Sequence, residues 1–275
     1  VKLALNPRIT RWRGLRVWLV GASSGIGAAL ADALIAQGAR LAVSARSDAA
    51  LNAIVARADA DAIALPVDVG DAEALATAHR ELLARWGSID LTIWLAAAYE
   101  PMDTANFQLA SARRIARVNF EGLLNGLAVL LPMLRRERSG GLAIVSSVAG
   151  YRGLPRSPVY GPTKAALINL AESLYLELRP LGIGVYLINP GFVRTPLTAL
   201  NDFQMPAIIE PEAAARHILR GLERGRFEIH FPARLSWTLK AIGLLPHRLY
   251  FGLVRRATAG NSRSGAQGPD EQNRP

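Results

Sequence analysis

What most constrains the fold of this chain is an alternation. Short runs rich in Val, Ile, Leu and Ala occupy residues 16–20, 40–45, 63–67, 91–96, 141–146, 182–189 and 228–231, and helical patterns fill the intervals. Runs this short, apolar on both faces, read as strands of a parallel sheet, because a strand covered by helices on both sides has no wet face to keep polar. The alternation therefore predicts a doubly wound α/β fold of about seven strands flanked by helices, in a single domain. At 275 residues the chain can bury a full core of that kind.

The first strand-to-helix junction carries more than a turn. Residues 16–20 run straight into Gly21-Ala22-Ser23-Ser24-Gly25-Ile26-Gly27 and then into a helical pattern that stops at Gly38. Gly21 permits the tight bend, Gly25 and Gly27 let backbone approach a phosphate and let the helix pack on the sheet, and the helix start offers free N–H groups. The spacing is G-x-x-x-G-x-G, which differs from the dinucleotide fingerprint G-x-G-x-x-G. At the end of the second strand stand Ala45 and Arg46, flanked by Ser44 and Ser47. An acidic residue there would accept bonds from a free ribose hydroxyl, whereas arginine gives charge-assisted bonds to a 2'-phosphate. Arg46 thus predicts NADP over NAD; the alternative is that one arginine of an Arg-rich chain simply faces water.

A second constellation lies in Tyr160-Gly161-Pro162-Thr163-Lys164, which sets a phenol and an ammonium one helical turn apart on the same face. A neighbouring lysine stabilises a phenolate and so brings a group with a pKa near 10 towards the working range for proton transfer. Leu167, Leu170, Leu174 and Leu178 give this helix a core stripe that positions its first turn. Ser146 and Ser147 close the fifth apolar run, and Asn119 lies within residues 109–138, which read as one long helix kinked at Pro132. An Asn inside a helix is unfavourable by propensity, which favours a purpose for it.

Taken together these motifs resemble the short-chain dehydrogenase/reductase family, from about residue 16 to about residue 231 and in the family's order. The resemblance implies a Rossmann-type catalytic domain with Asn119, Ser147, Tyr160 and Lys164 as its catalytic set. Tyr160 would be the acid/base, and Lys164 would lower its pKa and bind the ribose. Ser147, thirteen residues before Tyr160, would hold the substrate oxygen, and Asn119 would stabilise a helix bend and hold a water of the proton relay. The cofactor would lie against Gly21, Ser23, Ser24, Gly25, Ile26 and Gly27, with Arg46 at the 2'-phosphate. Asp68 and Val69 would meet the adenine, although Asp68 reads equally as a turn residue. Ala96 would border the same site, and Pro190, Gly191, Val193 and Thr195 would stand beside the nicotinamide. The loop 148–159, with Tyr151, Leu154 and Pro155, would wall a substrate pocket, and a mobile lid would span 196–209. The apolar residues of that lid imply an apolar substrate.

The implied function is an NADP-dependent oxidoreductase interconverting a ketone and a secondary alcohol, as a homodimer or homotetramer. One departure from the family's pattern stands out. Its Asn-Asn-Ala-Gly is replaced by Trp94-Leu95-Ala96-Ala97, and its Thr before the first glycine is Val20. The joint loss reads as a matched apolar substitution in the core, with the Ala97 methyl altering the nicotinamide side of the pocket. It also motivates an alternative, a non-catalytic NADP-binding regulator or scaffold. A further alternative is a peripheral membrane reductase of lipid-derived ketones.

Composition narrows the field. The absence of cysteine excludes disulfides, thiolate metal sites and cysteine nucleophiles, and the four His lack ligand spacing, so no metal is expected. The chain also lacks a G-x-S-x-G elbow. No apolar run reaches the roughly 18 residues of a membrane span and no leader pattern opens the chain, so a cytoplasmic protein, soluble or peripheral at the inner membrane surface, is expected. The net charge of +10 is confined to the ends. Residues 1–16 hold five basic and no acidic groups, 234–275 hold seven and two, and 17–233 hold twenty of each. A neutral body argues against nucleic acid as a partner. The expected organisation is a basic arm (1–15), the catalytic domain (16–232), an amphipathic basic extension (233–257) and a disordered tail (258–275). Residues 234–256 have the composition of an interfacial helix pair, or of one packed on a partner subunit or on the body.

Overall fold

The computed structural model describes residues 4–58 and 61–259. Its strands are β1 (Arg16–Val20), β2 (Arg40–Ala45), β3 (Ala62–Pro66), β4 (Leu91–Trp94), β5 (Gly141–Val145), β6 (Gly184–Pro190) and β7 (Glu228–Phe231). All pair in parallel, in the order β3-β2-β1-β4-β5-β6-β7. The chain winds outward from β1 in one direction and from β4 in the other, so the loops leaving those two strands diverge. A crevice opens at their C-terminal ends, where open α/β sheets bind ligands.

Helices cover both faces. On one lie α3 (Ala72–Trp86), α5 (Gly122–Glu137) and α6 (Tyr160–Leu178); on the other lie α1 (Gly25–Ala36), α2 (Asp48–Val55) and α7 (Pro211–Glu223). Strand residues alternate between these two cores: Trp18 and Val20 face the first, Val17 and Leu19 the second. Both sets are buried, which is why the strands read as continuous apolar runs. Each wholly buried leucine, such as Leu30 or Leu123, contributes roughly 1.5–3 kcal/mol.

The departure at β4 is accommodated by a helix glycine. Trp94 pairs in register with Val20 and is buried. Its ring runs so close over α5 that a Cβ at Gly126 would lie 2.3 Å from it. Trp94 therefore needs glycine at position 126, and its indole N–H is left without a partner among the described residues. An unmade buried bond of this sort costs about 1–3 kcal/mol.

The segment expected as one long helix has three parts: α4 (Leu109–Ala116), a π-helical turn (Arg117–Glu121) and α5, which continues through Pro132. The regular pattern breaks at Asn119 and not at the proline. The N-terminal residues are irregular but fastened to the body. The buried Asn6 amide brackets the Val185 backbone, donating to its carbonyl (2.6 Å) and accepting from its N–H (3.0 Å), and Trp12 is buried with its indole on Glu223. Val185 lies at the start of β6, so this part of the arm meets the N-terminal ends of the strands, opposite the crevice.

Beyond β7 come α8 (Ala233–Gly243) and α9 (His247–Ala259). Helix α9 takes in Thr258, where a disordered tail was expected to begin; residues 260–275 of that tail lie outside the described residues. Among the described residues no helix is long and apolar enough to cross a membrane, and no cluster of His and carboxylates could hold a metal.

Candidate active site

Helix α6 is aimed by its backbone. Ser146, at the end of β5, donates its hydroxyl to the Lys164 carbonyl (2.7 Å), and Gly150 presses so closely on the first turn of α6 that a Cβ there would lie 2.7 Å from the Lys164 backbone. Ser146 is thereby used up. Both serines border the crevice, but Ser147 is the less buried, its hydroxyl accepting from the Ala149 N–H (3.1 Å) and reaching the Pro190 carbonyl (3.4 Å).

Tyr160 and Lys164 share a face of α6, with the ammonium 5.6 Å from the ring centroid. Burial dominates both. It pushes the Tyr160 phenol up to about 12, against the Ser147 hydroxyl that favours the anion, and the nearby Tyr99 phenol raises it further. Burial also drives Lys164 down to about 7. The expected lowering of Tyr160 by Lys164 is thus absent from the protein-only site. Its physical reason is that the lysine is itself desolvated, with Nζ donating to the Val145 carbonyl (3.1 Å).

Asn119 stands behind this group and lines neither cavity described below. It is fully buried, accepts from the Ala98 N–H (2.6 Å), and donates to the Ala98 carbonyl (3.0 Å) and to Thr163 Oγ1 (3.1 Å). It ties the strand that leaves β4 to the first turn of α6, and the π turn presents it there.

A cavity of about 560 Å³ opens over the C-terminal ends of the central strands and is lined by Ser147, Tyr160 and Lys164. Residues 21 and 23–27 form its floor. Their glycines leave no room for side chains: a Cβ would lie 2.5 Å from the Ala96 nitrogen at Gly21, 2.7 Å from the Thr195 methyl at Gly25 and 2.2 Å from the Gly21 carbonyl at Gly27. Gly21 and Gly25 also have positive φ, of 96° and 55°. Ser24 makes no side-chain cap on α1, so the first amides of that helix stay free for an anion.

Asp68, Val69, Ala96, Pro190, Gly191, Val193 and Thr195 border the same space. Asp68 also accepts from the Gly70 N–H (2.8 Å), so its turn role is present as well. Arg46 is exposed at the rim and makes no ion pair among the described residues. Glycine cradle and open helix start suit the phosphates of a dinucleotide.

A second cavity, of about 470 Å³, meets the first at Ser147 and Tyr160. Its walls include Leu154 and Pro155 of the 148–159 loop, Leu197 and Phe203 of the 196–209 segment, Phe192 just ahead of that segment, and Leu235 and Leu239 of α8. Tyr151, expected in that wall, turns away to donate to Glu228 (2.8 Å), which pulls it out of the lining. The lid closes at its base through paired Val193 and Ile209. It is pinned at its tip by Tyr99 donating to Asn201 (2.7 Å) and by Arg156 on both oxygens of Asp202 (2.6 and 2.7 Å).

Sequence reasoning missed Tyr99, whose ring stands edge-on to Tyr160 at 5.0 Å, and Leu239. Tyr99 is an isolated aromatic in a coil and carries no periodic signal. Leu239 belongs to a helix whose inner face could not be told from its outer one.

A family model described as short chain dehydrogenase matches residues 16–204. An uncharacterized oxidoreductase of Myxococcus xanthus is 34% identical over 86% of this chain and 95% of its own length. A sorbitol dehydrogenase of Cereibacter sphaeroides is 35% identical over 66% of this chain and 72% of its own. The solved short-chain dehydrogenase of Sphingobium yanoikuyae in complex with NADPH superposes with a TM-score of 0.75, at 25% identity, over 93% of this chain and 99% of its own. With the motifs, the sheet order and these likenesses in agreement, the chain belongs to the short-chain dehydrogenase family of NAD(P)-dependent oxidoreductases.

Proposed function

We propose that this enzyme uses NADP(H) to interconvert a ketone and a secondary alcohol on an apolar substrate, with Tyr160 as the acid/base. The observation that carries the reading is the meeting of the two cavities at Ser147 and Tyr160, one floored by the glycine turn with Arg46 at its rim and the other lined mostly by apolar side chains. The cofactor, when bound, supplies or takes back a hydride at the substrate carbon. Arg46 would hold the 2'-phosphate, the 21–27 turn the pyrophosphate, and Asp68 and Val69 the adenine. Lys164 would meet the ribose, and Val193 and Thr195 the nicotinamide end. The Ser147 hydroxyl would hold the substrate oxygen while Tyr160 Oη gives its proton to that oxygen, or takes it back in the reverse direction.

The high pKa of Tyr160 in the protein alone suits it to donate and not to lose its proton prematurely. Asn119 acts through Ala98 and Thr163, fixing the wall and the helix turn that the reacting groups use. Family members act on small molecules and often oligomerise; for this chain we read a cytoplasmic homodimer or homotetramer.

The test is equilibrium titration of the purified protein with NADPH and with NADH, alongside Arg46→Ala. A preference for NADPH of at least about tenfold that collapses in the variant supports the reading, since a charge-assisted pair contributes roughly 1.5–3 kcal/mol. Equal affinities would remove the NADP assignment. Binding of neither nucleotide would favour a non-catalytic role.

A further inference from the structure

The last two helices carry groups that the active site leaves unused. Helix α8 and its C-cap turn Arg234, Trp237, Ala241 and Leu244 outward on one face, at spacings of three and four residues, with Trp237 62% and Leu244 88% exposed. Arg152 holds the end of α8 by donating to the Gly243 and Leu245 carbonyls (2.6 and 2.7 Å), and it stacks over Tyr250 of α9. Tyr250 is the buried anchor of α9 and donates to the Gly153 carbonyl (2.7 Å). Elsewhere α9 faces outward in two adjacent stripes, Arg248-Phe251-Arg255 and Leu249-Leu253-Arg256. Of the eleven large apolar side chains exposed among the described residues, four lie on this pair of helices and a fifth, Leu244, caps α8, so they form a patch and not a scatter.

Charge decides what can cover the patch. Residues 233–259 hold Arg234, Lys240, Arg248, Arg255 and Arg256 and no acidic residue. Lys240 is neutralised by Glu228 of β7, while the four arginines make no ion pair among the described residues. Two copies meeting through this face about a two-fold axis would set arginine against arginine. A nucleic acid would satisfy the arginines and leave the apolar side chains uncovered. Only a surface with an anionic rim and an apolar interior satisfies both.

We infer that α8 and α9 dock this chain on an anionic membrane surface. The apolar side chains enter the boundary between headgroups and acyl chains, and the arginines meet lipid phosphates. The inner side of the same helices, through Leu235, Leu239 and Thr258, lines the apolar cavity. The docked enzyme therefore takes a carbonyl compound dissolved in the bilayer; this clause rests on the function proposed above.

The test uses the full chain, with NADPH binding measured in each variant to confirm folding. The wild type is expected to sediment with mixed phosphatidylcholine and phosphatidylglycerol vesicles and not with phosphatidylcholine alone, and to be released by salt. Arg248→Glu/Arg255→Glu/Arg256→Glu should weaken partitioning by about a hundredfold, at roughly fivefold per arginine, and Trp237→Ser/Phe251→Ser should weaken it as well. No sedimentation of the wild type, or equal sedimentation of all three proteins, overturns the docking. So does a dimer that the variants split in sedimentation velocity without any vesicle binding.

Turnover of a long-chain ketone carried in the anionic vesicles should exceed that in the variants, with a short water-soluble ketone turned over equally by all. Equal rates on both ketones overturn the substrate clause. Vesicle binding requires no turnover, so a protein that docks but binds no NADPH refutes the proposed function alone.

Discussion

The two cavities that meet at Tyr160 are made of different materials. The side proposed for the cofactor is floored by the glycine turn, where a Cβ added at any of three glycines would lie 2.2–2.7 Å from a neighbouring atom. The substrate side is walled by side chains, drawn partly from α8 and α9, which lie beyond the stretch matched by the family model. Backbone walls admit few sequences and therefore hold one ligand shape across a family. Side-chain walls can be rebuilt by substitution, so substrate choice is set by elements that are free to change.

This contrast can be broken experimentally. The largest effect is expected at the junction. Tyr160→Phe keeps both walls and removes the proton, so kcat for ketone reduction should fall by about 10²–10⁴ while NADPH affinity stays unchanged. Retained turnover would take Tyr160 out of the chemistry. On the backbone side, Gly27→Ala must push α1 off the turn, with its Cβ 2.2 Å from the Gly21 carbonyl. NADPH and NADH should weaken together by about tenfold or more, the cost of overpacking. Weakening of NADPH alone would show that the cradle is not common to both nucleotides.

Of the two cavities, Lys164 lines only the one floored by the glycine turn, and it gives a pH signature. Its folded pKa, lowered to about 7 from 10.5, means that between those values the unfolded chain binds a proton that the folded chain does not. Stability of the cofactor-free protein should therefore rise with pH in this window and be lost as pH falls. The change is up to about 2 kcal/mol from pH 7.5 to 9 relative to Lys164→Met, by denaturant titration. Identical pH slopes for the two proteins would contradict a neutral buried lysine. The smallest effect belongs to the side-chain wall. Leu239→Ala should raise KM for an apolar ketone about three- to tenfold and leave NADPH binding alone. A change in NADPH affinity would show that the cavities are coupled through α8.

The same distinction explains what was legible in the sequence. Strands buried on both faces announce themselves as apolar runs, and a glycine cradle announces itself as glycines, so sheet, turn and α6 could be read in advance. Ser147 could be separated from Ser146 by its offset from Tyr160, and the two serines indeed have different partners. Burial-driven pKa values could not be read, because the position of Lys164 Nζ against the Val145 carbonyl is a tertiary fact. Nor could Tyr151 be assigned, since Glu228, which draws it from the pocket wall, lies 77 residues away. Asn6 carried no signal either, its partner being the Val185 backbone at a separation of 179 residues.

The placement of the five tryptophans has an optical consequence. Trp12, Trp18, Trp86 and Trp94 are buried, and Trp237 stands out in solvent on α8. An aqueous quencher therefore meets one indole in five, and the red edge of the emission belongs to the outer face of the helix that also walls the substrate cavity. The chain carries its own fluorescent label at that position, and any event that covers α8 is visible as a blue shift without attaching a dye.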